Sequence, residues 1–173
     1  MHNLNMIVAM NKKYVIGDKG KIPWHIPEES KHFKETTRYG VLIMGSKTYK
    51  SVEKFLPFED RDIIVLSSGE KTEFPHAMEV FKDINSVLDH VYSNPERTFW
   101  VSGGLGVYDA LIPYCGRWVM SKVDDNSDGD TNIKSILEKN LEFEHKDNKR
   151  LIVSSETKHE KFTVYDIIES YEH

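Results

Sequence analysis

Hydrophobic residues along this chain fall into short runs separated by stretches of helical spacing. Leu4–Met10 (L-N-M-I-V-A-M), Val41–Met44 (V-L-I-M), Ile63–Leu66 (I-I-V-L), Thr98–Val101 (T-F-W-V) and Arg117–Met120 (R-W-V-M) read as strands. The middle runs are almost continuously apolar, as strands covered on both faces are. Between them the pattern predicts helices over Glu28–Arg38, Lys47–Lys54, Ile84–Tyr92 and Leu105–Ile112. This alternation argues for an α/β fold with a mostly parallel central sheet and helices on both faces. Towards the C-terminus the character changes. Leu141–His145 and Phe162–Ile168 read as strands joined by the polar segment Lys146–Lys161, which has room for further extended structure. The expected ending is an antiparallel hairpin added to the parallel sheet. Open sheets of this kind bind ligands at the carboxyl ends of their strands, so the chemistry is to be sought in the loops that follow the runs.

Composition narrows the class. With 173 residues, 39% of them apolar and 11% aromatic, the chain suits one domain over residues 1–173 and is short for two. Lys and Arg number 23 against 28 Asp and Glu, a formal net charge of −5. No global basic field of the kind nucleic-acid binders carry is present. No run approaches the roughly 20 apolar residues that span a bilayer. The start, Met1-His2-Asn3-Leu4-Asn5, has no basic leader or long apolar core, so a cytoplasmic protein is expected. The single cysteine, Cys115, rules out an internal disulfide and a thiolate metal cluster.

Four segments carry candidate chemistry. Val15–Glu29 (V-I-G-D-K-G-K-I-P-W-H-I-P-E-E) follows a strand, holds two glycines, and ends in prolines around an aromatic, a composition that suits a lid over a cleft. Pro27 fits the first turn of a helix, which places Glu28 and Glu29 at its N-terminus. Glu29 and Phe33 are four apart and share a face, with Thr36 and Thr37 one turn on. An acid there, beside an aromatic and under an apolar lid, meets a partly dry pocket. Val101–Tyr108 (V-S-G-G-L-G-V-Y) is a strand, a glycine turn and a helix, able to bring a phosphate close to backbone N–H groups. Met44–Tyr49 (M-G-S-K-T-Y) offers Gly45, the Thr48 hydroxyl and the Lys47 charge after another strand. Ile63–Gly69 (I-I-V-L-S-S-G) ends a strand in two hydroxyls beside Lys71. Neither glycine segment has the spacing of a dinucleotide fingerprint or a P-loop.

In this order and at these separations the segments resemble dihydrofolate reductase. The resemblance runs from Leu4 through Asp130 and rests on V-I-G followed by I-P-W-x-x-P-E-E, then I-M-G-S-K-T-Y, L-P-F-E-D-R, I-V-L-S-S, G-G-L-G-V-Y and D-G-D-T. It implies an NADPH-dependent oxidoreductase that reduces 7,8-dihydrofolate to tetrahydrofolate and binds antifolates. Hydride goes to pteridine carbon 6 and a proton to nitrogen 5. It further implies Glu29 as the pocket acid bonding the pterin 2-amino group and nitrogen 3, with Glu28 as rival. Trp24 and Ser121 belong to the same catalytic group, and the backbone at Val8 and Ala9 lies near the pterin. Phe33 and Val52 flank the p-aminobenzoyl ring, Leu56 adds apolar wall, Ser102 sits at the pocket floor, and Arg61 meets the glutamate carboxylate. A planar guanidinium suits a carboxylate better than an ammonium does.

For the cofactor the matching positions are Ala9, Ile16, Gly17, Gly45, Ser46, Lys47, Thr48, Ser67, Ser68, Gly103, Gly104, Leu105, Gly106 and Tyr108. Lys47 with the serine pair is the candidate 2′-phosphate site, with Lys71 as the alternative source of positive charge. The glycine pair is expected to hold a cis peptide, and Asp130 to bond the lid backbone near Gly17. Ser46, Gly106, Ser102, Ser30 and the lengthened Phe58-Glu59-Asp60 depart from the family pattern and imply a more polar, roomier pocket. Asp124–Gly129 imitates the start of a calcium loop, but its twelfth position is Ser135 rather than a bidentate glutamate, and no metal is expected. A monomer is expected. Two other readings remain at this stage, a related pyrimidine reductase of riboflavin synthesis, which needs neither a buried acid at Glu29 nor Arg61, and a catalytically silent NADPH-binding protein.

Overall fold

A computed structural model describes residues 2–142 and 149–171. Its strands are β1 (Leu4–Met10), β2 (Val15–Gly17), β3 (Val41–Gly45), β4 (Asp62–Leu66), β5 (Glu79–Phe81), β6 (Phe99–Val101), β7 (Arg117–Val123), β8 (Thr131–Asn132), β9 (Lys149–Lys158) and β10 (Phe162–Tyr171). The helices are α1 (Pro27–Thr37), α2 (Ser46–Val52), α3 (Ile84–Ser93), α4 (Leu105–Leu111) and α5 (Lys134–Glu142). Eight strands form one sheet in the order β5-β4-β3-β6-β1-β7-β10-β9. The neighbours from β5 to β7 pair in parallel, and β10 and β9 are added antiparallel.

Side-chain alternation sorts the core into two layers. Leu4, Met6, Val8 and Met10 of β1 pack with Val87 and Val91 of α3, Leu111 of α4 and Leu137 of α5 on one face. Ile7, Leu42 and Met44 pack with Tyr49 of α2 and with Trp24, Phe33 and Leu56 on the other. Burial on both sides explains why the middle strands read as continuous apolar runs. Asp83 caps α3, its side chain accepting from the Ser86 N–H at 2.8 Å, and Pro27 opens α1.

One expectation needs correction. Leu141 and Glu142 end a helix rather than begin a strand; the remainder of the expected strand, residues 143–145, lies outside the described residues. Helix α5 comes from Ile133, Ile136 and Leu137, which recur at helical spacing and are buried. The polar segment holds β9, the outer strand of the hairpin. Residues 152 to 160 are exposed, and the strand's one apolar triplet, Leu151-Ile152-Val153, stands in an otherwise polar stretch without the alternation of a half-buried strand. The lid segment contributes β2, which pairs with β8 in a separate antiparallel ribbon.

Candidate active site

The first turn of α1 carries two adjacent acids with different surroundings. Glu28 is exposed, whereas Glu29 is 8% exposed. Desolvation raises the Glu29 carboxyl from 4.5 to about 7, because a charge in a dry pocket loses its hydration. No hydrogen bond reaches that carboxylate from the described residues. Its negative charge reaches Tyr108 on α4, whose hydroxyl is pushed up by burial and then by Glu29. Tyr108 donates to the Ile7 carbonyl at 2.8 Å. Ser121 is 2% exposed and sits beside Ala9 in the β1–β7 register. Ile7, Ala9 and Ser121 therefore look out from the α1 face of the sheet, while the Val8 side chain belongs to the opposite core layer and leaves only its backbone on this side.

An apolar wall continues from Glu29. Trp24, Phe33, Val52, Leu56 and Phe58 are half-buried against the same core layer. Beyond them stands Arg61, its side chain 5% exposed. Its Nε donates to Asp60 at 3.2 Å, Nη1 to the Thr37 hydroxyl at 3.3 Å, and the guanidinium lies 4.2 Å from the Phe58 ring centre. Asp60 also accepts from Arg38 at 3.0 Å. That bond, followed by Arg61, holds its carboxyl below the usual range despite some desolvation. A cavity of about 500 Å³ opens here, lined by Lys34, Arg38 and Arg61, by Glu59 and Asp60, and by Tyr39 and Phe58. The wall from Trp24 to Phe58 thus runs from an acid to a hollow that holds both cations and carboxylates. Sequence reasoning noted Phe58 and Asp60 only as part of the lengthened loop before Arg61, not as its partners, and did not single out the Ile7 carbonyl.

On the other side of Tyr108 is the glycine turn. Gly103 and Gly104 are joined by a cis peptide, as expected, and Gly103 has φ +115°. A β-carbon on Gly103 would come 3.5 Å from the Tyr108 ring and 3.6 Å from the Thr48 hydroxyl. The Gly45 N–H donates to the Gly103 carbonyl at 2.9 Å, which locks the carboxyl ends of β3 and β6 together. Ser102 donates its hydroxyl to the Ile43 carbonyl at 3.2 Å, so it is already satisfied within the sheet. Leu105 is half-buried, and Gly106 has open space where a side chain would stand. Ser46 is half-buried, and Lys47 is exposed without a carboxylate partner among the described residues. Ser67 and Ser68 follow β4 immediately beside β3; the Ser67 hydroxyl accepts from the Gly69 N–H at 3.1 Å.

The lid is held from the side. Ile16 and Gly17 are half-exposed in β2, opposite Thr131 and Asn132 of β8. The Lys19 N–H donates to Asp130 at 3.0 Å and holds that carboxyl below its ordinary value. The calcium-like segment is otherwise engaged: Asp125 accepts from Asn11 and Ser127, while Asp124 pairs with Lys12 and Asp128 with Lys13. Cys115 is buried and its thiol lies 3.4 Å from the Leu111 carbonyl.

Known proteins resemble this chain in sequence and fold. The dihydrofolate reductase of Bacillus subtilis is 35% identical over 137 residues, 79% of each chain. That of Mycoplasma genitalium is 33% identical over 136 residues, 77% of this chain and 84% of its own. A solved dihydrofolate reductase from Enterococcus faecalis, complexed with NADP(H) and RAB-propyl, superposes with a TM-score of 0.76 at 25% identity and covers 96% of both chains. The family model for dihydrofolate reductase matches residues 3–167, nearly the whole length, and the chain belongs to that family.

Proposed function

We propose that this chain performs the reaction of its family through the site just described, reducing 7,8-dihydrofolate to 5,6,7,8-tetrahydrofolate with NADPH. The observation that carries the assignment of roles is Glu29, a carboxyl sequestered at the inner end of an apolar wall and titrating near neutrality.

The residues fit the cofactor. The glycine turn leaves the backbone at Gly103, Gly104 and Gly106 open to close approach, since a β-carbon at Gly103 would enter the space beside Tyr108 and Thr48. Gly45, Ser46 and Thr48 add backbone and hydroxyl groups, with Ala9, Ile16, Gly17, Leu105 and Tyr108 around them. Lys47, with Ser67 and Ser68 on the neighbouring strand, would meet the 2′-phosphate. When bound, NADPH supplies the hydride that adds to pteridine carbon 6.

The chain's own groups position the other reactant. Glu29 accepts hydrogen bonds from the pterin 2-amino group and nitrogen 3, which suits a carboxylate with no internal donor. Ser121, beside Ala9, supplies a hydroxyl next to that acid, and Trp24 closes the pocket from the lid side. Phe33, Val52 and Leu56 hold the p-aminobenzoyl ring, and Arg61 takes a glutamate carboxylate with the N–H groups that Asp60 and Thr37 leave free. The proton that completes the reduction reaches nitrogen 5 through solvent, under the electrostatic influence of Glu29. Antifolates that present a donor pair in place of the pterin would bind the same acid. The proposed site is complete within one chain, consistent with a monomer, and a cytoplasmic location belongs to the same reading. Among the described residues no helix is long and apolar enough to cross a membrane.

The test is the decay of absorbance at 340 nm with dihydrofolate and NADPH. Turnover sensitive to methotrexate is expected, and binding of NADPH without turnover would overturn the reading. Glu29→Gln is expected to lower turnover by about 10²-fold or more while leaving NADPH affinity within about twofold. The same loss in Glu28→Gln instead would reassign the acid.

A further inference from the structure

A second cavity lies behind the sheet, on the face away from Glu29. It holds about 240 Å³ and is walled by Met10, Trp118, Met120, Leu137 and Ile167. Lys122, Lys134 and Glu138 line the same cavity beside Tyr14. Both ammonium groups converge on the Tyr14 ring, at 5.0 and 5.9 Å from its centre. Lys134 faces Glu138 at 3.9 Å, whereas Lys122 has no carboxylate partner among the described residues, which leaves one uncompensated positive charge. In the wall Trp118 is 3% exposed, and its indole N–H has no acceptor among the described residues.

These features describe one kind of occupant. An apolar wall with aromatic edges favours a flat ring; the net charge favours an anion; the volume is below the range of drug-sized pockets. We propose that this cavity is a second binding site that takes a small aromatic carboxylate, its ring against Met10, Trp118 and Leu137 and its carboxylate towards Lys122. The site is separate from the one proposed for dihydrofolate, since Met10 and Lys122 belong to the reverse side of the strands that carry Ala9 and Ser121. The inference does not depend on the role of Glu29.

The experiment titrates naphthalene-2-carboxylate into ¹⁵N-labelled protein saturated with NADPH and folate, following the three tryptophan indole N–H signals. The Trp118 signal, assigned by its loss in Trp118→Phe, is expected to shift saturably while those of Trp24 and Trp100 stay in place. The neutral analogue 2-methylnaphthalene should bind about fivefold more weakly or worse, and Lys122→Met should weaken the carboxylate by about three- to tenfold without affecting the neutral compound. Leu137→Trp, which fills the cavity, should abolish the shift; if that variant does not fold, Lys122→Met still decides. A non-saturating shift, movement of the Trp24 signal instead, or equal affinity for the charged and neutral probes would overturn the proposal.

Discussion

Glu28 and Glu29 are chemically identical neighbours, and only burial separates them. Sequence spacing places Glu29 on the face of Phe33, but two acids in a first turn are ordinary dipole compensation until one is seen to be dry. Lys47 shows the opposite case. Its charge and its place after a strand are plain in M-G-S-K-T-Y, and the structure leaves it exposed without an ion partner. Lys47→Ala is therefore expected to weaken NADPH about tenfold while changing NADH by less than about twofold, one lost charge-assisted contact to a phosphate being worth that much. Equal losses in fluorescence titrations of the two cofactors would remove the phosphate role. Arg61 was legible as a cation before a strand. That Thr37 would hold it was not legible, because that contact joins the end of α1 to the loop before β4, whereas Asp60 and Phe58 are its close neighbours in sequence.

Among the elements, legibility followed burial on both faces. The parallel strands β1, β3, β4, β6 and β7 sit where their apolar runs predicted, because the core covers them twice. Elements with one weak side escaped. Strand β5 has three half-buried residues, β9 is largely exposed, and α5 hides its period among lysines and glutamates. The lid's support was legible only through D-G-D-T. In the structure Gly129 lies so close to the lid that a β-carbon would run into the Val15 side chain and the Gly17 carbonyl. Gly129→Ala should force β2 away from β8, raising KM for both substrates about three- to tenfold, a cost of roughly 1 kcal/mol at the bound state, with no loss of the central sheet by circular dichroism. Unchanged kinetics would mean that the β2–β8 ribbon does not set the lid.

At the scale of the whole molecule, the desolvated acid costs stability. In the ligand-free protein Glu29 holds its proton more tightly than in the unfolded chain, with a value raised from 4.5 to about 7. Folding therefore takes up a proton within that window. The contribution is most favourable below pH 4.5, falls as pH rises towards 7, and is constant above it. The penalty above neutrality reaches about 3 kcal/mol at most. Glu29→Gln, which has no charge to desolvate, should melt several degrees above the parent at pH 8, about 2–4 °C for each kcal/mol recovered, and should match it near pH 4.5. A melting difference independent of pH would point to packing rather than charge. The same substitution that lowers turnover is thus expected to stabilise the ligand-free protein, so activity and stability draw on one carboxyl in opposite directions.

The titration of that carboxyl itself is the most direct measurement. With ¹³C-labelled glutamate and the Glu29 signal assigned by its loss in Glu29→Gln, the side-chain carbon followed across pH 3.5–9 should show its inflection near 7 in the ligand-free protein. An inflection close to 4.5, the value of a solvated glutamate, would contradict the buried acid on which the proposed site is built.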